Sequence, residues 1–163
     1  MSEHYYQVTI QDNLFPALIE ETKKEGWVER HDFTMRVLPR FFFKNSVLFH
    51  LILKFNGTPA ILKMERMTWY NWHVDTVRQC SINMLISGED SQCFFGEKVN
   101  SNIMALTELI YKPNTYYLLN TQVQHAVLNR NNMRYMLSIG FDSRTTYELI
   151  LAECKTLINK ERI

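Results

Sequence analysis

Cysteine is scarce in this chain, and what there is forms no pattern. Cys80, Cys93 and Cys154 are odd in number, widely spaced and without a CxxC pair, which excludes a disulfide framework and a cysteine zinc cluster. Buried thiols in a reducing compartment are expected. Charge of one sign is lacking too: eighteen basic residues stand against seventeen acidic ones. No bulk field therefore recruits nucleic acid or a membrane surface. The longest apolar run, Val47 to Phe55, is broken by His50 and Lys54 and is too short to span a bilayer. Met1-Ser2-Glu3-His4 does not open a signal peptide. Nothing reads as a linker, repeat or low-complexity tract. One soluble, cytoplasmic domain over residues 1–163 is expected, with its oligomeric state open.

What is present falls into three stretches. In residues 1–59, Tyr5 to Ile10 reads as a short strand, and Asp12 or Asn13 can cap a helix that carries Pro16 in its first turn and ends before Gly26. Phe33 to Leu38 is a strand stopped by Pro39. Val47, Leu48, Leu51, Ile52 and Phe55 recur at helical spacing after Asn45-Ser46, with Asn56-Gly57 as a left-handed stop. Residues 60–141 change to short strands with turn residues between them: Ile61–Trp69, Cys80–Ile86, Gln92–Phe95, Leu106–Tyr111, Tyr116–Asn120, His125–Leu128 and Arg134–Phe141. Such a series predicts a sandwich or jelly roll, not alternating βαβ units. The tail, about 144–161, predicts a helix opened by a capping box at Thr145-Thr146-Tyr147-Glu148, with Tyr147, Ile150, Leu151, Cys154, Leu157 and Ile158 as its apolar stripe.

Chemistry concentrates between Trp72 and Phe141. His73-Val74-Asp75 is followed by His125, fifty positions after Asp75, and by Arg134, nine after His125. Two imidazoles and a carboxylate on one side of a metal form a facial triad, a donor set suited to non-haem Fe(II) that leaves positions open for oxygen and a co-substrate. An Arg near such a site can clamp a dicarboxylic acid, because guanidinium offers a rigid fork to a carboxylate. Strand alternation places Ser81, Asn83 and Leu85 on one face, and the wholly apolar Cys80, Ile82, Met84 and Ile86 on the other. The last strand divides the same way, with Arg134, Met136, Ser138 and Gly140 opposite Tyr135, Leu137, Ile139 and Phe141. The polar faces suit the interior of a barrel. The apolar faces should meet the helices. Taken singly, a strand-end His beside a turn Asp, a half-buried His and a surface Arg are all ordinary; their conjunction in order carries the reading.

The stretch from His73 to Phe141 resembles the double-stranded β-helix core of the Fe(II)/2-oxoglutarate-dependent oxygenases, and within them is most similar to the aspartyl/asparaginyl β-hydroxylase-like group. The resemblance rests on His73-Val74-Asp75, Arg78 with Ser81-Ile82-Asn83, Tyr111-Lys112-Pro113-Asn114 leading to Leu119-Asn120, His125 to Asn129, and Arg134 to Ile139. It covers under half of the chain. It implies His73, Asp75 and His125 as Fe(II) ligands, Arg134 on the distal carboxylate of 2-oxoglutarate, and Ser81 and Asn83 as neighbouring polar contacts. It also implies hydroxylation of an amino acid or amino-acid residue, with 2-oxoglutarate decarboxylated to succinate and O2 consumed. The chain departs from the pattern in keeping Asp75, where some members of the group lack a carboxylate, and in having Asn114 where Gly is frequent. Arg78 and Trp72 are candidate substrate contacts, and Trp69, Tyr70, Phe94 and Phe95 candidate pocket walls. The competing readings are a catalytically silent jelly-roll binding module and a cupin-like metalloenzyme that does not use 2-oxoglutarate.

Overall fold

A computed structural model describes residues 4–98 and 104–160. Eleven strands and three α-helices follow one another among them. The N-terminal third holds β1 (Tyr5–Val8), α1 (Phe15–Thr22), β2 (Val28–Glu29), β3 (Thr34–Val37), a 3-10 turn (Arg40–Phe43) and α2 (Leu48–Lys54). The strand-rich core runs through β4 (Thr58–Met64), β5 (Thr68–His73), β6 (Cys80–Ser87), β7 (Gln92–Lys98), β8 (Met104–Leu109), β9 (Tyr116–Asn120), β10 (Gln124–Asn129) and β11 (Arg134–Gly140), and α3 (Tyr147–Lys160) closes the described chain. The strands form two antiparallel sheets, ordered β1-β9-β6-β11-β4-β3-β2 and β5-β10-β7-β8. Two sheets between which the chain crosses by connections of three to six residues make this a jelly roll of the cupin type, as the strand series predicts.

The expected strand Ile61–Trp69 is instead two strands in different sheets. Between β4 and β5 the chain reverses through Met67, at φ 55°, and Met67 N–H donates to the Arg130 carbonyl. A non-glycine residue in the left-handed region carries no strand signal in its side chain, so the periodicity runs on across the break. The helix after Asp12 begins later than its cap suggests. Asp12 holds Leu14 N–H but also accepts from Ser46 Oγ at 2.6 Å and Tyr116 Oη at 3.1 Å, tying the first loop to the start of α2 and to β9. Ser46 Oγ in turn accepts Leu48 N–H, which starts α2, and Asn56 supplies the left-handed stop at φ 51°. At the other end Thr146 rather than Thr145 caps α3, through Leu149 N–H, while Thr145 bonds Asp142.

Two cores result. Cys80, Ile82, Met84, Leu137, Ile139 and Phe141 pack on the helix side against Leu18, Leu51 and Ile150. Met64, Cys93, Phe95, Leu119 and Val127 fill part of the space between the sheets. The predicted face assignment of β6 and β11 holds on both sides, and the α1 and α3 stripes lie on the outer face of the larger sheet. Ile158 lies outside the residues whose side chains are described. All three cysteines are buried thiols, pushed up to about 12, 11 and 12 by burial for Cys80, Cys93 and Cys154.

Candidate metal centre

A register irregularity builds the site. His125 on β10 pairs with His73 on β5, but Val127 pairs with Tyr70, so two residues of β10 step against three of β5. This bulge turns His73 to the same side as Tyr70, whereas strict alternation would have turned it to the opposite one. Both rings now line the space between the sheets, 4.0 Å apart by their centroids. Trp72 takes the other outcome. It lines neither of the cavities described below, because the residue beside an inward His73 faces outward, so the structure does not place it at the site.

His73, Asp75 and His125 converge, their ligand-type atoms all lying within 4.8 Å of one another. Asp75 Oδ1 lies 3.5 Å from His73 Nε2 and 4.0 Å from His125 Nε2. Atoms bound to one ion at roughly 2.1 Å stand no more than ~4.2 Å apart, so both His–Asp distances fit a shared cation. Each imidazole is oriented by a backbone carbonyl: His73 Nδ1–H donates to Asn71 O at 2.7 Å and His125 Nδ1–H to Val123 O at 2.9 Å. A carbonyl only accepts, which assigns the proton to Nδ1 and leaves both Nε2 lone pairs facing Asp75. His73 Nε2 is buried without a hydrogen-bond partner, the signature of a donor set arranged for something else.

The charges agree with that arrangement. Burial works to raise the Asp75 carboxyl, but the His73 imidazole and the Arg78 guanidinium outweigh it and hold the group well below the usual carboxylate range. Burial alone depresses His73, yet Asp75 and the Asn71 carbonyl leave it raised; His125, more deeply buried and beside His73, is lowered. Arg78 Nε donates to Asp75 Oδ2 and Nη1 to Ser138 Oγ at 3.1 Å. The turn carrying Asp75 is clamped on the end of β9: Asp75 N–H donates to Thr121 O, and Gln122 Nε2 bridges the carbonyls of Asp75 and Arg78 at 2.9 and 3.0 Å.

Two cavities meet here. An outer cleft of about 690 Å³ reaches His73 and Asp75 between β4, β11 and the β2–β3 hairpin. An inner chamber of about 50 Å³ lies deeper, lined by His125, Ser81, Asn83, Tyr111 and Arg134. Phe33, Leu62, Tyr70 and Arg78 border both. Arg134 is only 4% exposed. Its contacts are Ser91 Oγ at 3.0 Å, the sulfurs of Met136 and Met64, and the Tyr111 ring. Among the described residues no carboxylate lies within 4.0 Å of it. Ser81 Oγ and Asn83 Oδ1, which share the chamber, are buried without hydrogen-bond partners. Of the aromatic walls expected, Tyr70 lines both cavities and Phe95 packs beside His125, while Trp69 stays 41% exposed on the outer face. Phe33 and Tyr111 are walls whose pocket role the motif reading did not isolate. Phe33, just before β3, and Met35 within it both line the cleft, but nothing in that short stretch says what it meets.

No family model and no curated protein sequence matches the chain. Solved structures do resemble it in fold. A prolyl-4-hydroxylase from Pseudomonas putida superposes with a TM-score of 0.62 at 13% identity, covering 86% of this chain and 94% of that one. A viral collagen prolyl hydroxylase from Paramecium Bursaria Chlorella virus-1, in a 2-oxoglutarate complex, gives 0.60 at 7% identity over 87% and 97%. HygX from Streptomyces hygroscopicus, with nickel and 2-oxoglutarate bound, gives 0.59 at 11% identity over 79% and 78%.

Proposed function

We propose that the chain is an Fe(II)- and 2-oxoglutarate-dependent oxygenase that hydroxylates an amino acid or amino-acid residue, of the aspartyl/asparaginyl β-hydroxylase-like group. The observation that carries the reading is a pairing of two unsatisfied features. His73, Asp75 and His125 form a donor set whose imidazoles are oriented by backbone carbonyls, and the inner chamber that His125 borders is also lined by Arg134, a buried guanidinium without an anionic partner among the described residues. A dicarboxylate held at the metal by one end answers the second feature with the other. Neither a silent binding module nor a metalloenzyme of another class requires Arg134 there.

In this reading His73, Asp75 and His125 hold the metal, Arg134 pairs with the distal carboxylate, and Ser81 and Asn83 supply polar contacts beside it. With metal and co-substrate bound, the chemistry supplied is reduction of O2 coupled to decarboxylation of 2-oxoglutarate, giving succinate and CO2 and placing the second oxygen atom in a substrate C–H bond. This chain's own residues do the rest. The two backbone carbonyls keep the Nε2 lone pairs available. Phe33, Leu62 and Tyr70 exclude water from the passage between cleft and chamber, and the larger cleft receives the substrate beside Arg78. The test is anaerobic calorimetry with Fe(II), then 2-oxoglutarate, followed by succinate release across amino acids and peptides. Metal binding without 2-oxoglutarate binding overturns the proposal.

A further inference from the structure

Arg78 borders both cavities, yet two of its three guanidinium nitrogens are already engaged within the protein, Nε on Asp75 Oδ2 and Nη1 on Ser138 Oγ. The side chain reaches that position by lying across β11 at Gly140. A Cβ at Gly140 would stand 3.2 Å from Arg78 Cδ and 3.3 Å from Nη1, tighter than ordinary van der Waals contact. Gly140 lies in a strand, where glycine weakens pairing and marks a close approach by another group. Here that group is Arg78. Ser138 and Gly140 lie on the same face of β11 two residues apart, so one contributes the acceptor and the other the space.

We infer that Arg78 is a positioning residue for the metal-binding carboxylate and that Gly140 is the cradle that lets it act. By occupying Oδ2, the guanidinium fixes the rotation of the Asp75 carboxylate and leaves Oδ1 as the oxygen turned toward both imidazoles. The Asp75 main chain is held independently, by Thr121 and Gln122, so Arg78 controls the side chain and not the course of the turn. The inference rests on the metal assignment above and goes beyond it, assigning to a strand glycine an effect on a centre whose ligands come from other elements.

Two effects of opposite sign decide the design of the test. Removing Arg78 frees the carboxylate to rotate, but it also removes a cation that repels an incoming dication. Arg78→Ala is therefore ambiguous by itself, whereas Gly140→Ala and Ser138→Ala keep the charge and change only where it sits. Outer partners of metal ligands are typically worth about ten- to a hundredfold in metal affinity when lost outright. A displaced guanidinium should cost roughly tenfold, the low end of that range. Zn(II) affinity of the full chain is measured by competition with a chromogenic chelator for the wild type, Gly140→Ala, Ser138→Ala, Arg78→Ala and the Gly140→Ala/Arg78→Ala double variant, with melting temperatures alongside.

Gly140→Ala should weaken Zn(II) binding by about tenfold, and by less than twofold once Arg78 is already alanine, since the clash then has no target. Gly140→Ala with unchanged affinity overturns the inference, as does an equal loss in both backgrounds, which would mean that the alanine disturbs the strand itself. A Zn(II) site abolished equally in His73→Ala and His125→Ala keeps the metal assignment standing whichever result the glycine gives. Wild-type chain that does not bind Zn(II) at all overturns that assignment and the inference with it.

Discussion

Replacing Arg134 by methionine should move binding and stability in opposite directions. Arg134 is 4% exposed, and its guanidinium touches one hydroxyl, two thioethers and an aromatic face. A buried cation so poorly answered costs the ligand-free chain stability, and exchanging buried charges for well-packed apolar groups is often neutral or stabilising by about 1–4 kcal/mol. Met136 and Met64 beside it show that the site accepts thioethers. Arg134→Met should therefore leave the melting temperature of the metal-free chain unchanged or raise it. Binding of 2-oxoglutarate should collapse, because truncating one partner of a buried, hydrogen-bonded charge pair costs about 2–5 kcal/mol, a factor of roughly 30 to several thousand. Arg134→Lys keeps the charge without the fork and should fall between. Calorimetry on chain loaded with a redox-inert metal reads affinity; differential scanning calorimetry reads stability. In wild type, 2-oxoglutarate at a hundred times its Kd adds about 2.7 kcal/mol. That is a rise of roughly 5–11 °C at 2–4 °C per kcal/mol, and after a loss of 30-fold or more the same concentration should give Arg134→Met about 0.9 kcal/mol or less, a rise of roughly 4 °C at most. A variant that melts lower but still binds 2-oxoglutarate as tightly as wild type would make Arg134 a structural residue and refute the reasoning.

Three further outcomes are expected. In metal-free chain the raised His73 imidazole contributes stability that is complete below the unfolded value of about 6.5 and lost as pH rises through its folded value, whereas metal binding needs the same Nε2 unprotonated and strengthens over that interval. The gap in melting temperature between loaded and metal-free chain should thus widen with rising pH above about 6.5, and a gap that is flat or narrows contradicts the assignment. Gly88 turns at φ 97°, and a Cβ there would stand 2.8 Å from Arg134 Cα, so Gly88→Ala should lose at least about 1 kcal/mol in urea unfolding. Deleting Asn71 should make the β5–β10 pairing two residues against two, which keeps His73 on the Tyr70 side by plain alternation; retained circular dichroism with retained metal binding is the expected result, and abolished metal binding refutes the account in which the bulge acts through the face His73 takes.

The strand series and the faces of β6 and β11 were legible because a polar lining opposite an apolar face leaves a period-two trace in the residues themselves. Ser81 and Asn83 alternate with Cys80, Ile82 and Met84 for that reason, and Arg134 alternates with Tyr135 and Leu137. What left no such trace was backbone geometry reached by ordinary side chains. Met67 and Asn114 adopt left-handed conformations at φ 55° and 49°, yet neither is glycine. Asn tolerates that region through its short polar side chain, so Asn114 can take the left-handed place in its turn without being glycine. Met67 has no such preference, and nothing in its identity announces that β4 and β5 belong to different sheets.

The bulge in β5 shows why the candidate metal centre was readable as a motif but not as a geometry. Reading alternation backward from His73 puts Trp72 and Tyr70 together on the opposite side, which makes both candidate walls or neither. One extra residue separates them, sending Tyr70 to the cavity and Trp72 away from it. A bulge of this kind depends on pairing between β5 and β10, whose paired residues His73 and His125 lie more than fifty positions apart, so no local window contains its cause. The order His73, Asp75, His125, Arg134 is readable in the sequence because a donor set is a matter of residue types. The orientation of each side chain depends on hydrogen bonds to residues of no distinctive type: the carbonyls of Asn71 and Val123 for the imidazoles, and the space above Gly140 for Arg78. A main-chain carbonyl is present at every position and a strand glycine reads as a weakness, so the parts that aim the donor set are the ones a sequence displays least.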